Sequence, residues 1–162
     1  MCTQEGSSAN LSGTGVALRP LSPDDIPEML EIERLGHSHP WTEGIFSDCF
    51  KPGYLLSGAW FGERLVGYAV VAYMFDEAHL LNICVHPDTR GLGVGRQLLC
   101  HVTETARSED MSEVLLEVRL SNKVASKLYQ KEGFEEIGRR PGYYPSASGR
   151  EDARVMSLLL YP

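Results

Sequence analysis

Three glycines alternate in Arg90-Gly91-Leu92-Gly93-Val94-Gly95-Arg96, between an apolar run, Ile83-Cys84-Val85, and an amphipathic stretch. Residues without side chains let a ligand approach the backbone closely. The first N–H groups of a helix have no partner within it and sit at the positive end of its dipole, so such a turn can hold an anion. Arg90 and Arg96 flank the turn and can add charge-assisted bonds to phosphate oxygens. The same pattern also fits a plain glycine-rich turn entering a helix. A P-loop is excluded, because Gly95 is followed by Arg96 and Gln97 rather than by Lys and Ser or Thr. A dinucleotide fold needs its glycines after a first strand and an acid about 20 residues later.

A second constellation lies downstream. In Leu115-Leu116-Glu117-Val118-Arg119 strand alternation puts Leu116 and Val118 on one face and Glu117 on the other. An acid there is either a solvent-facing carboxylate or a general base aimed into a cleft. Asn122 stands where the strand gives way to a helix; it suits an N-cap, and its amide can also bond a ligand. Tyr129, one to two turns into that helix, is either a core aromatic or a proton donor with a reference pKa of roughly 10. Cys84 lies in an apolar strand and reads as an inert core thiol rather than a nucleophile. The four cysteines (Cys2, Cys49, Cys84 and Cys100) form no Cys-x-x-Cys pair, so reduced thiols are expected, with no zinc site. His37-x-His39 has no evident third ligand, so no metal is expected.

The pattern around these residues predicts strand, two helices, three strands, helix, strand, helix and two strands. Ser22-Pro23-Asp24-Asp25 and Thr42-Glu43 are helix starts. Phe61-Gly62-Glu63-Arg64 is a hairpin turn. A polar loop is expected over 141–150. Residues 1–14, rich in Ser, Gly, Asn and Thr, read as a flexible lead-in, and 15–162 as a single domain.

The 162-residue chain is 43% apolar and 23% charged, enough for one core. Its formal net charge of −7 argues against direct nucleic-acid binding. The N-terminus resembles no signal peptide and no apolar run reaches the roughly 20 residues of a membrane span, so a cytoplasmic protein without membrane contact is expected.

Arg90-x-x-Gly93-x-Gly95, with Ile83-Cys84-Val85-His86-Pro87 before it, resembles the cofactor signature of the GNAT acetyltransferases. Several pieces resemble, more narrowly, the ribosomal-protein-alanine acetyltransferase (RimI) family. They are Leu116-Glu117-Val118-Arg119-x-Ser121-Asn122, Pro40-Trp41-Thr42, Tyr143-Tyr144-Pro145 and Gly149-Arg150-Glu151-Asp152-Ala153, with Ala125-x-x-Leu128-Tyr129-x-x-x-Gly133-Phe134, whose Leu-Tyr-x-x-x-Gly-Phe part is common to many GNATs. The resemblance covers about residues 16–160. It implies an α/β (α+β) GNAT fold: a mixed, mostly antiparallel twisted sheet of about seven strands with about four helices. It implies acetyl-CoA as cosubstrate, bound by Ile83, Cys84, Val85, Arg90, Gly91, Leu92, Gly93, Val94, Gly95, Arg96 and Asn122. It makes Glu117 the proton acceptor and Tyr129 the proton donor in direct transfer within a ternary complex. Cys84 departs from the small residue expected at its position.

The acceptor that the resemblance implies is the N-terminal alanine of a small-subunit ribosomal protein, followed by basic residues. An α-amine, with a pKa of roughly 7.7–8.0 against about 10.4 for lysine, suits a modest base. Asp24, Asp25, Glu28, Glu31, Glu33, Glu43 and Asp48 form an expected acidic rim on the first two helices, which border the acceptor groove in this fold. Trp41, Tyr143 and Tyr144 are expected at the acceptor, the tyrosines from the 141–150 loop. The alternatives are a GNAT acting on a small amine such as a polyamine, and a non-catalytic CoA-binding module.

Overall fold

The computed structural model describes residues 15–161; the expected lead-in over 1–14 lies outside the described residues. Its elements follow the predicted order. They are β1 (Ala17–Pro20), α1 (Ile26–Gly36), α2 (Glu43–Asp48), β2 (Tyr54–Phe61), β3 (Arg64–Met74) and β4 (Glu77–Val85), then α3 (Val94–Ser108), β5 (Glu113–Arg119), α4 (Lys123–Lys131), β6 (Glu135–Ser146) and β7 (Gly149–Leu159).

Local chemistry sets the boundaries. A 3-10 turn over Pro23–Asp25 leads into α1, with the Asp25 carboxylate accepting the Ser22 N–H at 2.8 Å. Thr42 caps α2 by accepting the Ile45 N–H at 3.3 Å. That helix stops at Asp48, because Cys49 and Phe50 close tighter turns onto the Phe46 and Ser47 carbonyls.

The seven strands form one sheet in the order β1-β2-β3-β4-β5-β7-β6, antiparallel throughout except between β4 and β5. One core joins α3 and α4 to the sheet through Leu98, Leu99, Val102, Val114, Leu116, Tyr129 and Met156. A second core joins α1 and α2 to it through Met29, Ile32, Phe46, Tyr68 and Cys84. The sheet is therefore covered on both faces, and β3 is buried along nearly its whole length.

The 141–150 segment corrects the expectation of a loop. β6 and β7 run through it as a hairpin, with Ala147 and Ser148 alone between them. Pro141 and Gly142 looked like loop punctuation, but β6 is the edge strand, where a missing N–H breaks no ladder. The pairing is irregular between Arg140 and Tyr144, and Gly142 takes φ +58°, a conformation that suits glycine. Arg150, Glu151 and Asp152 brace this bulge. Arg150 donates to the Gly142 and Tyr143 carbonyls at 2.8 and 3.3 Å, and Asp152 accepts the Gly142 N–H at 2.9 Å. Glu151 accepts from the Ser121 hydroxyl at 2.6 Å, so it ties the hairpin to the end of β5.

Cys49 and Cys84 are free thiols, whereas Cys100 is disulfide-bonded. Cys100 thus departs from the expectation of reduced thiols, because spacing that argues against a framework of bridges is silent on a single one. Among the described residues no helix is long and apolar enough to cross a membrane.

Candidate active site

The site begins where the sheet comes apart. β4 pairs with β5 in parallel only from Glu77↔Glu113 to Leu80↔Leu116. On the other side of β4 the register against β3 jumps there, from Val71↔Leu80 to Val70↔Asn82, which leaves Leu81 as an extra residue. An extra residue bends a strand and sharpens its twist. Past the bulge, Asn82–Val85 and Glu117–Arg119 diverge, and a cleft of about 890 Å³ opens between them. Each strand keeps its outer neighbour and presents a free backbone edge across the gap. Such edges bind amide groups of an extended ligand.

One end of the cleft is the glycine turn. His86 accepts the Asp88 N–H on its Nδ1 at 3.1 Å, and Thr89 donates to the His86 carbonyl at 3.1 Å, closing the 3-10 turn Pro87–Thr89. Gly91 and Gly93 then take φ of +79° and +81°, and Gly93 is the N-cap of the 15-residue α3. Both glycines are required by the backbone. Gly95 is not: a Cβ there would meet only Leu128 and Val85, at ordinary contact distance. Arg90, Gly91, Gly93, Val94, Gly95 and Arg96 all line the cleft. Leu92 does not, and is half exposed. The Arg96 Nε lies 2.7 Å from Glu132 Oε1, so this arginine is oriented from α4.

Ile83, Cys84 and Val85 form the β4 wall. Cys84 is buried and donates to the Ile32 carbonyl at 3.7 Å. Burial, then the Glu33 charge, push its thiol up to about 12, which leaves no useful thiolate near neutrality. Cys84→Ala is accordingly expected to keep turnover within about threefold of the parent; loss of turnover, or trapping of an acetyl-cysteine, would overturn the inert reading.

Opposite, Glu117 reaches into the cleft from β5, with its side chain 26% exposed. Arg140 Nε lies 2.7 Å from its Oε1, and the Tyr143 hydroxyl hydrogen-bonds the same carboxylate, which raises the phenol's pKa. Asn122 caps α4 by accepting the Ala125 N–H at 3.2 Å, and its side chain lines the cleft. Tyr129 is buried with its ring 5.9 Å from Phe134, and lines the cleft as well. Desolvation, followed by the neighbouring Tyr144, raises its pKa. Tyr144 is pushed up to about 12, mainly by burial. Its ring meets that of Tyr143 edge-on, with centroids 4.9 Å apart, and the Arg119 guanidinium lies 4.5 Å from its ring centre. Tyr144 lines the cleft, while Tyr143 touches Glu117 from outside its wall.

Glu33 is the residue that the sequence reading misplaced. It belongs to the buried side of α1, at 1% exposure, not to an acidic rim. Its carboxylate accepts from the Trp41 N–H at 3.1 Å, from Asn82 Nδ2 at 2.9 Å and from the Tyr68 hydroxyl. This links α1, β3 and β4 and sets where Trp41 enters the cleft wall. The signal was present in the periodicity: 33 follows Ile26, Met29 and Leu30 at helical spacing. Two other rim acids are engaged by backbone: Asp25 holds Ser22, and Glu28 accepts the Leu65 N–H at 3.1 Å. Glu33, His37 and Cys84 also bring ligand atoms within 4.8 Å of one another. The carboxylate already serves three donors and the thiol keeps its proton, which suits structure better than metal binding.

A parallel strand pair that splays beside a helix-capping glycine turn, with a carboxylate and a phenol in the gap, is equipped for acyl transfer from a phosphate-bearing thioester. Residues 22–134 match the acetyltransferase (GNAT) family, and the chain belongs to it. Family members use acetyl-CoA as acetyl donor, and the protein is an N-acetyltransferase. Within the family it belongs with the RimI group. It is 38% identical over 138 residues to the [ribosomal protein bS18]-alanine N-acetyltransferase of Salmonella typhimurium, covering 85% of this chain and 93% of that one. The crystal structure of the Escherichia coli ribosomal-protein-S18-alanine N-acetyltransferase superposes with a TM-score of 0.87 at 35% identity, over 91% of this chain and 95% of that one. Ard1 from Thermoplasma volcanium superposes at 0.82 with 26% identity, over 91% and 99%.

Proposed function

We propose that the protein acetylates the N-terminal α-amine of a ribosomal protein, an alanine followed by basic residues, by direct transfer from acetyl-CoA. The observation that carries the reading is Glu117, set in the gap between β4 and β5 of a chain that matches bS18-alanine acetyltransferases over nearly its whole length. The CoA pyrophosphate sits against the N–H groups of Gly91 to Arg96, with Arg90 at its side. The amides of the pantetheine arm pair with the free edge of Ile83, Cys84 and Val85 and with the Asn122 side chain. The acceptor enters between Trp41 and the Tyr143-Tyr144 strand.

The arriving ammonium has no lone pair. Glu117 takes a proton from it, directly or through one water. The amine nitrogen then attacks the thioester carbonyl and a C–N bond forms; the C–S bond breaks as the electron pair leaves on sulfur, and the second proton of the nitrogen passes through solvent to the thiolate, giving the neutral amide and free CoA thiol. Tyr129 faces that departing thiolate. No backbone or side-chain step requires a metal.

Peptides decide the acceptor. An Ala-initiated peptide with basic residues next is expected to be acetylated at its α-amine. The same peptide with a blocked N-terminus and an internal lysine should give less than about 1% of that rate, because the lysine ammonium costs over 3 kcal/mol more to deprotonate at neutral pH. Equal rates, or faster transfer to spermidine, would overturn the reading. Acetyl-CoA binding with no transfer to any amine would favour a non-catalytic module.

A further inference from the structure

We propose that Arg140 sets acceptor specificity by occupying, in the free protein, the place at Glu117 that the acceptor's ammonium takes. Binding is then an exchange of one cation for another. The inference rests on the reading of the Glu117 cleft as the acceptor site.

Four observations carry it. The Glu117 side chain is 26% exposed, so its charge is poorly hydrated and needs a counter-charge. Arg140 supplies one, with its Nε 2.7 Å from Oε1, a charge-assisted bond. The Arg140 side chain is 58% exposed and can swing into water at little cost, and Tyr143 offers it a ring face 5.4 Å away. Its neighbours are engaged elsewhere: Glu136 holds Arg139 at 2.8 Å and Arg154 at 3.4 Å, and Arg119 donates to the Pro145 carbonyl at 2.8 Å.

Charge balance follows. An ammonium that displaces Arg140 leaves the carboxylate paired, whereas a blocked N-terminus that displaces it strands a half-buried charge. After transfer the product is a neutral amide, and once Glu117 has passed its proton to water Arg140 can return to the carboxylate and help to expel the product. The site thereby distinguishes free from acetylated N-termini by charge as well as by shape.

The test is peptide kinetics on Arg140→Gln, Arg140→Lys and Arg139→Gln, with the acetyl-CoA dissociation constant as a check on the fold. Arg140→Gln is expected to lower the peptide KM by about five- to tenfold with acetyl-CoA binding unchanged. Arg140→Lys, which keeps a cation, should stay near the parent. Arg139→Gln removes the same charge one residue away and should leave KM unaltered. Ethylguanidinium should raise KM of Arg140→Gln back towards the parent value. An unchanged or increased KM in Arg140→Gln, or an equal fall in Arg139→Gln, overturns the exchange. Failure of the Glu117 reading shows separately, as undiminished turnover in Glu117→Gln.

Discussion

Glu117→Gln is expected to reduce turnover at pH 7 by about 10²–10⁴-fold, with acetyl-CoA binding nearly unchanged. The glutamine keeps the shape of the side chain and a partner for the Tyr143 hydroxyl, but it cannot take a proton. A pH profile makes the prediction sharper. The base serves only acceptors that arrive as ammonium, and that fraction falls as pH rises through the α-amine value of roughly 7.7–8.0. The deficit of the variant should therefore shrink above about pH 8. A lysine acceptor, with its pKa of about 10.4, should show no recovery in that range. Equal turnover of variant and parent at pH 7 would remove Glu117 from the chemistry.

The second large effect is expected at Tyr129. Tyr129→Phe preserves the contact with Phe134 and removes one hydroxyl, and turnover should fall by about 10²–10³-fold with little change in either KM. The surroundings of the hydroxyl bear on how it would act. Burial raises its pKa, so it holds its proton throughout the working range. A thiol has a reference pKa near 8.5 and a phenol near 10, so full proton transfer to the leaving sulfur is uphill by about 2 kcal/mol even at reference values. On the proposed reading Tyr129 would then serve the developing thiolate chiefly as a hydrogen-bond donor. No alkaline limb from this group should appear below about pH 10. A Phe variant with full turnover would overturn the role.

The fold was legible where a single local rule decides. Alternation in β5 placed Glu117 on the face opposite Leu116 and Val118, and Thr42 and Asn122 cap their helices. The glycine turn was legible as a turn, and Gly91 and Gly93 do need positive φ. What escaped depends on neighbours distant in sequence. Pro141 and Gly142 break a strand in the middle of a sheet, and nothing local says that β6 is the edge. Glu33 looked like one acid among several because its donors, Trp41, Tyr68 and Asn82, come from three other segments. Arg140 was invisible for the same reason: its partner lies two strands away, across β7. In the sequence Arg150, Glu151 and Asp152 carry a family resemblance and no evident role; in the structure they hold the bulged edge that carries Tyr143 and Tyr144.

The bulge at Leu81 has one more consequence. By keeping β4 and β5 apart beyond Leu80 and Leu116, it leaves the sheet unfinished in the middle, where sheets are normally strongest. On the proposed binding mode the donor's amide-bearing arm would fill that gap as a surrogate strand and supply part of the native state's cohesion from solution. Whatever binds only the folded form adds RT ln(1 + [L]/Kd) to its stability, about 2.7 kcal/mol at a hundredfold excess over Kd. The expected result is a melting temperature that rises with acetyl-CoA concentration, read by thermal unfolding.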